Sequence, residues 1–66
     1  MELIVNGSRY TFEGRVSVTE MLEILEIRSS RVAVELNRKI VGKGDYGTTI
    51  LRDGDRVEVV HFVGGG

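Results

Sequence analysis

Along the start of the chain, apolar and polar positions alternate with a period of two. In "ELIVNGSRYTFEG", Leu3 and Val5 precede an Asn-Gly pair at 6–7, and Tyr10 and Phe12 follow it. Asn-Gly favours the positive φ angles of a tight hairpin turn, and strict alternation gives a strand one apolar face. This segment is therefore predicted to form two short strands, joined by the turn and apolar on one face.

The next segment, "SVTEMLEILEI", has the period of a helix. Ser17 and Glu20 have the spacing of a capping box, in which each side chain accepts a hydrogen bond from the other residue's backbone N–H. We predict a helix that begins after Ser17 and ends near residues 28–30. Its apolar stripe falls at i, i+3, i+4 and i+7, at Val18, Met21, Leu22 and Leu25. The glutamates lie largely off that stripe, and we interpret them as a solvated face, with a docking surface for a basic partner as the alternative: Glu20, Glu23 and Glu26.

The second half of the chain is predicted to form further strands and turns. In "RVAVELN", Val32, Val34 and Leu36 alternate with less apolar residues, which predicts a third strand. The short segments that follow are interpreted as a brief strand extension in "RKIV" (38–41), a flexible loop in "GKGDYG" (42–47), a strand or single turn in "TTIL" (48–51) and a turn in "RDGD" (52–55). "RVEVVHFV" (56–63) is predicted to be the last and longest strand.

This order of elements predicts an α+β fold. One main helix packed across a small mixed sheet of four to five strands is an economical way to build a core at this length. The first and last strands are apolar enough to be central, and we expect them to pair in parallel, with the helix covering the crossover. A chain of 66 residues leaves room for one domain.

Charge and composition narrow the range of partners. Nine basic and ten acidic residues give a formal net charge of −1, and the seven arginines and two lysines are scattered. Binding to nucleic acid needs a clustered cationic face, so we expect no nucleic-acid partner. No apolar run reaches the roughly 20 residues of a membrane span, and no signal peptide is recognisable. We therefore expect a cytoplasmic protein with no membrane partner.

The sequence contains no recognisable catalytic constellation. The chain has no cysteine, so it cannot carry a persulfide or a thioester on its own side chains. His61 is the only histidine and has no nucleophile to activate, and we interpret it as a structural or interface residue. "DGD" (53–55) lacks the oxygen ligands of a calcium loop, and "GKGDYG" lacks the spacing of a phosphate-binding loop. We expect a protein that is not an enzyme and has no metal site.

The last strand indicates a contact with a partner. By alternation, Val57 and Val59 face the core, whereas Val60 and Phe62 face away from it. Apolar side chains on the open face of a small domain, close to the end of the chain, are typical of a binding surface. Val60 and Phe62 are therefore predicted to form a partner-binding patch.

Three glycines end the sequence, Gly64, Gly65 and Gly66, and we expect a flexible tail (64–66) behind a domain of residues 1–63. Such an end is either a remnant of cloning, a frayed terminus or a working arm. As an arm, three extended residues reach about 10 Å and, without Cβ atoms, can enter a narrow slot. The arm would deliver the α-carboxylate of Gly66, a poor electrophile until a partner enzyme activates it, commonly by ATP-driven adenylation.

As a whole, the chain resembles the ubiquitin-like β-grasp sulfur carriers, and most closely the ThiS family of thiamine-biosynthesis sulfur carriers. The resemblance rests on "NG" in the first hairpin, "SVTEMLEIL" in the helix, "VAVELNRKIV" in the third-strand region and "ILRDGDRVEVVHFVGGG" at the end. Gly65 and Gly66 match the terminal pair of the family, and Gly64 is an additional glycine without a strict role. Val60 and Phe62 fall where these carriers present an apolar patch to their activating enzymes.

The resemblance implies a reaction sequence centred on Gly66. An enzyme similar to the ubiquitin-activating adenylyltransferases would adenylate its carboxylate, using ATP and magnesium that the enzyme holds, while the chain itself binds no cofactor. A sulfur donor enzyme would then supply the sulfur that displaces AMP, which leaves a thiocarboxylate on Gly66. The thiocarboxylate would pass its sulfur to thiazole synthase, which builds the thiazole ring of thiamine.

Other functions are compatible with the same fold and tail. The small subunit of molybdopterin synthase shares both, although those carriers tend to be longer. Carriers for other sulfur metabolites and a ubiquitin-like protein modifier, joined through Gly66 to a lysine of its target, also remain open. The last alternative is an interaction module with an inert glycine tail.

Overall fold

The computed structural model describes residues 1–63, so the predicted tail of Gly64, Gly65 and Gly66 lies outside the described residues. The chain order is β1 (Glu2–Val5), β2 (Ser8–Thr11), α1 (Val18–Ile24), β3 (Val32–Leu36), β4 (Lys39–Val41) and β5 (Arg56–His61). Two short 3₁₀ helices, Ser29–Arg31 and Lys43–Asp45, flank the β3–β4 hairpin. None of the helices in this part of the chain has the length and apolar character that a membrane span requires.

The five strands form one mixed sheet in the order β2-β1-β5-β3-β4. β1 and β5 pair in parallel, with Val5 opposite Val57, and β3 pairs antiparallel to the other side of β5. The predicted α+β class, the single main helix and the parallel pairing of the first and last strands are confirmed. β5, the last strand, is the central strand of the sheet.

α1 begins where the sequence predicts, because its capping box is formed. The Ser17 N–H donates to Glu20 Oε1 at 3.0 Å, and the Glu20 N–H donates to Ser17 Oγ at 3.1 Å. The predicted end near residues 28–30 is wrong, since the helix stops at Ile24 with Leu25 as its C-cap. Glu26 adopts a φ of 60°, and the Ile27 N–H donates to Leu22 O at 2.8 Å, which together form a Schellman-type end.

The predicted flexible loop at 42–47 is attached to the core through one residue, Tyr46. Its middle is the 3₁₀ helix Lys43–Asp45, after which the side chain of Tyr46 is buried and its hydroxyl donates to Val32 O at 3.5 Å. Residues 48–51 begin in a turn, in which the Thr48 and Thr49 N–H groups donate to Asp45 O at 3.2 and 2.9 Å, and Ile50 then makes one isolated bridge with Ser17. Buried aromatic surface therefore holds this segment against the sheet.

The core lies between α1 and one face of the sheet, with a contribution from the connecting segments. Tyr10 lies on the expected apolar face of the first hairpin, directly opposite the buried Leu3, but 40% of its surface is exposed because β2 is an edge strand. The thirteen buried apolar residues are Leu3, Val5, Phe12, Val16, Val18, Met21, Leu22, Val32, Val34, Tyr46, Leu51, Val57 and Val59.

Two hairpin turns flank the central strand, and both use left-handed backbone. At the β1–β2 turn, Asn6 and Gly7 have φ angles of 49° and 82°, as the Asn-Gly pair predicts. At the β3–β4 turn, Asn37 and Arg38 have φ angles of 50° and 71°. Arg38 occupies a conformation that glycine favours, which the sequence pattern does not predict.

Candidate functional site

The burial of the side chains of the last strand differs between its first and second halves. Val57 and Val59 are buried, the latter with 6% of its surface exposed, whereas Val60 and Phe62 are exposed by 54% and 59%. The predicted alternation is therefore confirmed in its geometry, and Val60 and Phe62 lie on the open side of the sheet. We call residues 60–63 the distal segment; Val63, at 98% exposure, ends it.

Phe62 is the anchored residue of the distal segment. Its N–H donates to Arg31 O at 2.9 Å, which continues the ladder between β3 and β5 by one residue. Lys43 Nζ lies 5.2 Å from the centroid of the Phe62 ring and donates to Ser30 O at 3.2 Å. A cation at this distance from an aromatic face is attracted by the ring, so Lys43 links the Phe62 side chain to the 3₁₀ helix that precedes β3.

Around Val60, the open face of the sheet combines apolar and acidic residues. Ala33 lies directly opposite Val60 on β3, and Glu35 lies directly opposite Glu58. Like charges opposite each other in a sheet are unfavourable, and both carboxylates are on the face that is not covered by α1. Ile40, on the edge strand β4, is also exposed. The open face therefore combines exposed apolar side chains with charged residues of both signs, since Glu58 lines a depression together with Arg38 and Arg56.

Asn6 supports the last strand in a way that the sequence analysis missed. Its side-chain amide donates to Val59 O at 3.2 Å, and its side-chain carbonyl accepts from the Val59 N–H at 2.7 Å. The carboxamide thus occupies the position of a strand residue beside Val59, directly after β1 ends. The only sequence signal was the Asn-Gly pair, which indicates a turn and says nothing about a distant strand.

The remaining polar groups of β5 lie in a depression and on the exposed surface. A shallow depression of about 300 Å³ lies at the other end of β5 from Phe62 and is lined by Asn37, Arg38, Arg56 and Glu58. His61 is exposed on β5. Within residues 1–63, no group of three or more acidic, histidine or cysteine residues has the geometry of a metal site.

The predicted reacting group, the carboxylate of Gly66, lies outside the described residues together with Gly64 and Gly65. Its role stays a prediction, as does the partner-binding role of Val60 and Phe62. What the structure establishes is where the chain leaves the sheet. The distal segment emerges from the central strand, between the β1–β2 turn and the Ser29–Arg31 helix, with its apolar side chains exposed.

Proteins of known structure have the same fold as this chain. The crystal structure of the thiamine biosynthesis protein ThiS from Geobacter metallireducens superimposes with a TM-score of 0.86, at 39% sequence identity and with both chains covered completely. The sulfur carrier protein ThiS of Bacillus subtilis is 40% identical over 50 residues, which are 76% of either chain. The predicted ubiquitin-like β-grasp fold is confirmed by these similarities.

A second group of relatives is much longer. The thiazole synthase of Paramagnetospirillum magneticum is 41% identical over 66 residues, which is all of this chain and 20% of that protein. The chain thus spans about a fifth of the length of the thiazole synthases that it matches. The sequence profile of the ThiS family matches residues 3–66, which is nearly the whole sequence. The chain therefore belongs to the ThiS family.

Proposed function

We propose that this protein is a sulfur carrier of thiamine biosynthesis, in which the carboxylate of Gly66 carries the sulfur as a thiocarboxylate. The observation that carries the proposal is the match to the ThiS family over residues 3–66, which includes the terminal glycines. Two features of the described residues support it. The last strand is central in the sheet, and its distal segment presents Val60 and Phe62 to a partner.

The proposed chemistry takes place in two steps at Gly66. First, a carboxylate oxygen attacks the α-phosphorus of ATP, which forms an acyl adenylate and releases pyrophosphate. Second, sulfide from a sulfur donor enzyme attacks the acyl carbon and expels AMP, which leaves the thiocarboxylate. Both steps need an electrophile or nucleophile that this chain does not supply. A ubiquitin-activating-like adenylyltransferase with its own ATP and magnesium is therefore the proposed activating partner, and the chain is its substrate rather than an enzyme.

Thiazole synthase is the proposed acceptor of the sulfur. Proteins named thiazole synthase contain a segment similar to all 66 residues of this chain, within a polypeptide about five times as long. A carrier and an enzyme that work in succession gain local concentration when they share one polypeptide. The occurrence of such proteins supports direct transfer between the two. We place this exchange in the cytoplasm, with residues 1–63 as the recognised domain and 64–66 as the reacting tail.

The experiment follows the intact mass of the protein. The purified chain is incubated with the soluble extract of its host, ATP, magnesium and sulfide. We expect a mass gain equal to one oxygen replaced by sulfur, located at Gly66 by fragmentation. The charged chain should then lose this mass when thiazole synthase and its other substrates are added.

A variant lacking Gly66 is the matched control, because its loss removes no side chain. This variant should fold like the wild type and gain no sulfur. Normal charging of the shortened chain, or an unchanged mass of the full chain in an extract that charges another carrier, would contradict the proposal. An isopeptide adduct to other proteins would identify a protein modifier instead.

A further inference from the structure

A lysine lies beside Phe62, from which the last four residues of the chain continue. Phe62 is fixed by its backbone, since its N–H donates to Arg31 O at 2.9 Å and so continues the ladder between β3 and β5. Lys43 Nζ lies 5.2 Å from the centroid of the Phe62 ring and donates to Ser30 O at 3.2 Å. Lys43 itself is exposed. The chain therefore has a primary amine close to the start of its C-terminal segment.

The distance from this amine to the Phe62 backbone is short compared with the reach of the four residues that follow. The centroid of a phenylalanine ring lies about 4 Å from its own Cα, so Lys43 Nζ is within about 9 Å of the Phe62 Cα. A glycine-rich segment of four residues spans about 11 Å on average and at most about 14 Å. Glycine also adopts the backbone angles of a sharp reversal, and residues 64–66 are all glycine. The acyl carbon of Gly66 is therefore within reach of the Lys43 amine.

The other amines of the chain are farther from Phe62. Lys39, the other of the two lysines, lies opposite Leu36, which in turn lies opposite Val57. Val57 precedes Phe62 by five residues in the sequence, which correspond to about 17 Å along a strand. The N-terminal ammonium lies before β1 and donates to Phe12 O at 3.0 Å. Position along the sheet therefore singles out the amine beside the Phe62 ring.

This amine is a nucleophile for Gly66 once the carboxylate is activated. In the acyl adenylate, the carbonyl carbon of Gly66 is bonded to a phosphate oxygen of AMP. The unprotonated Lys43 Nζ attacks this carbon, the bond to the AMP oxygen breaks, and the nitrogen releases one proton to solvent. AMP leaves with the electron pair of the broken bond, and an isopeptide bond joins Gly66 to Lys43. The amine first gives up its hydrogen bond to Ser30 O, which is an exposed contact.

We propose that Lys43 is an internal acceptor for the activated carboxyl group of Gly66, so that an activated carrier that receives no sulfur closes on itself. This inference rests on the proposed function, because a free carboxylate does not react with an amine. Sulfide and Lys43 compete for the same acyl carbon, and a short flexible linker gives the amine an effective concentration in the millimolar range. The closed chain has no terminal carboxylate, so it is not adenylated again.

The first test uses the full chain alone, prepared with an α-thioester at Gly66. A thiol then replaces AMP as the leaving group, and the chain has no cysteine that would capture the acyl group. We expect a product that is lighter by one water than the free acid, in which fragmentation locates an isopeptide bond between Gly66 and Lys43. A product joined at Lys39, or a thioester that is only hydrolysed, would overturn the inference.

Two lysine variants form a matched pair for this assay. Lys43→Arg keeps a cation beside the Phe62 ring and removes the nucleophile, so closure should be at least about tenfold slower than in the wild type. Lys39→Arg makes the same change at the distant lysine and should close at the wild-type rate. Urea denaturation of both variants checks that they fold like the wild type. Equal rates of closure in the two variants would contradict the role of Lys43.

Competition with a free amine gives an independent measurement on the wild-type sequence. Nα-acetyl-lysine amide is added to the thioester form of the chain, and the closed product is compared with the intermolecular adduct. We expect equal amounts of the two products at about millimolar concentrations of the added amine, as for a short linker that matches its span. Equal amounts at micromolar concentrations, or a product that joins two chains in place of the closed one, would show that Lys43 is not an internal acceptor.

The same reaction is then followed with the host extract. Wild-type and Lys43→Arg chains are incubated with extract, ATP and magnesium before sulfide is added. The wild type should lose its capacity to gain sulfur during the first incubation, whereas the variant should keep it. Equal capacity of the two chains after this incubation would overturn the inference.

The thioester and mass assays together separate this inference from the proposed function. If the chain gains sulfur at Gly66 while its thioester is only hydrolysed, the carrier function stands and internal closure is wrong. If the thioester closes on Lys43 but the chain gains no sulfur in an extract that charges another carrier, the carrier function is wrong and Lys43 remains an acceptor of the activated carboxyl group. Sulfur gain together with closure on Lys43 supports both.

Discussion

The two halves of β5 are built from similar residues and behave differently. In the first half, Val57 and Val59 are buried, and each edge of the strand is paired, with β1 and Asn6 on one side and β3 on the other. In the second half, Val60 and Phe62 are largely exposed, and within residues 1–63 only the edge toward β3 is paired. The same strand thus contributes to the core in its first half and exposes apolar surface in its second half.

This difference arises from what surrounds the strand rather than from its composition. α1 covers one face of the sheet, so alternation alone decides which valine contributes to the core. β1 ends before β5 does, so the length of the neighbouring strand decides where the edge becomes free. The apolar residues of the distal segment are exposed in the domain, and the proposed function assigns them to contact with a partner.

The largest expected effect comes from comparing a valine-to-alanine substitution in the first half of β5 with one in its second half. Val57→Ala should lower the free energy of unfolding by about 2 kcal/mol, because it removes buried apolar surface and leaves a cavity. Val60→Ala should change it by less than about 0.5 kcal/mol, since the side chain is already exposed. Urea denaturation of the two variants measures both values. Similar losses would show that the two halves are not distinct in their contribution to the fold.

A second pair of variants tests the hydrogen bonds by which Asn6 supports the middle of β5, at Val59. Asn6→Gly keeps the left-handed turn and removes both side-chain hydrogen bonds to Val59, so it should cost about 1–2 kcal/mol of stability. Asn37→Gly is the matched control at a similar backbone angle, since the Asn37 side chain bonds to Asp55 and Arg56 in an exposed setting. We expect the control to cost less in the same urea titration. A larger loss of unfolding free energy for Asn37→Gly would mean that the side-chain hydrogen bonds at the start of β5 stabilise the strand more than those at Val59.

A small change in folding and a clear change in binding are expected for Phe62→Ala. Truncation removes an exposed ring and the contact with Lys43, so the unfolding free energy should fall by less than about 1 kcal/mol. Binding to the adenylating enzyme should weaken by about 1 kcal/mol or more, the usual cost for an interface anchor. Calorimetric titration measures the affinity. Equal losses in folding and in binding would contradict the assignment of Phe62 to a partner surface.

Local chemistry predicted much of the fold because it acts over a few residues. The Asn-Gly pair required left-handed backbone at Gly7, and the capping box required Ser17 and Glu20 to meet. Alternation separated Val59 from Val60. These features depend on backbone angles and neighbours in sequence, and they are present in the structure as predicted.

The wrong predictions concern segments whose conformation is set by contacts with residues that are distant in the sequence, against the local conformational preference. The helix was expected to run on to 28–30, but Glu26 adopts a left-handed angle without being a glycine, and the chain then turns so that Ile27 packs against the core. The glycine-rich segment at 42–47 was expected to be flexible, but Tyr46 anchors it in the core. Burial of these side chains offsets the free-energy cost of the unfavourable backbone conformation. The local sequence pattern does not predict this burial.

By itself, the sequence determined the class of the fold, the two faces of the last strand and the family to which the chain belongs. It did so because periodicity, capping and turn chemistry are local properties of the chain. Only the tertiary structure decided where β1 stops beside β5, how Asn6 completes the pairing at Val59 and which edge stays open at His61. Those features depend on the register between residues more than fifty positions apart, and that register is set only when the whole core packs.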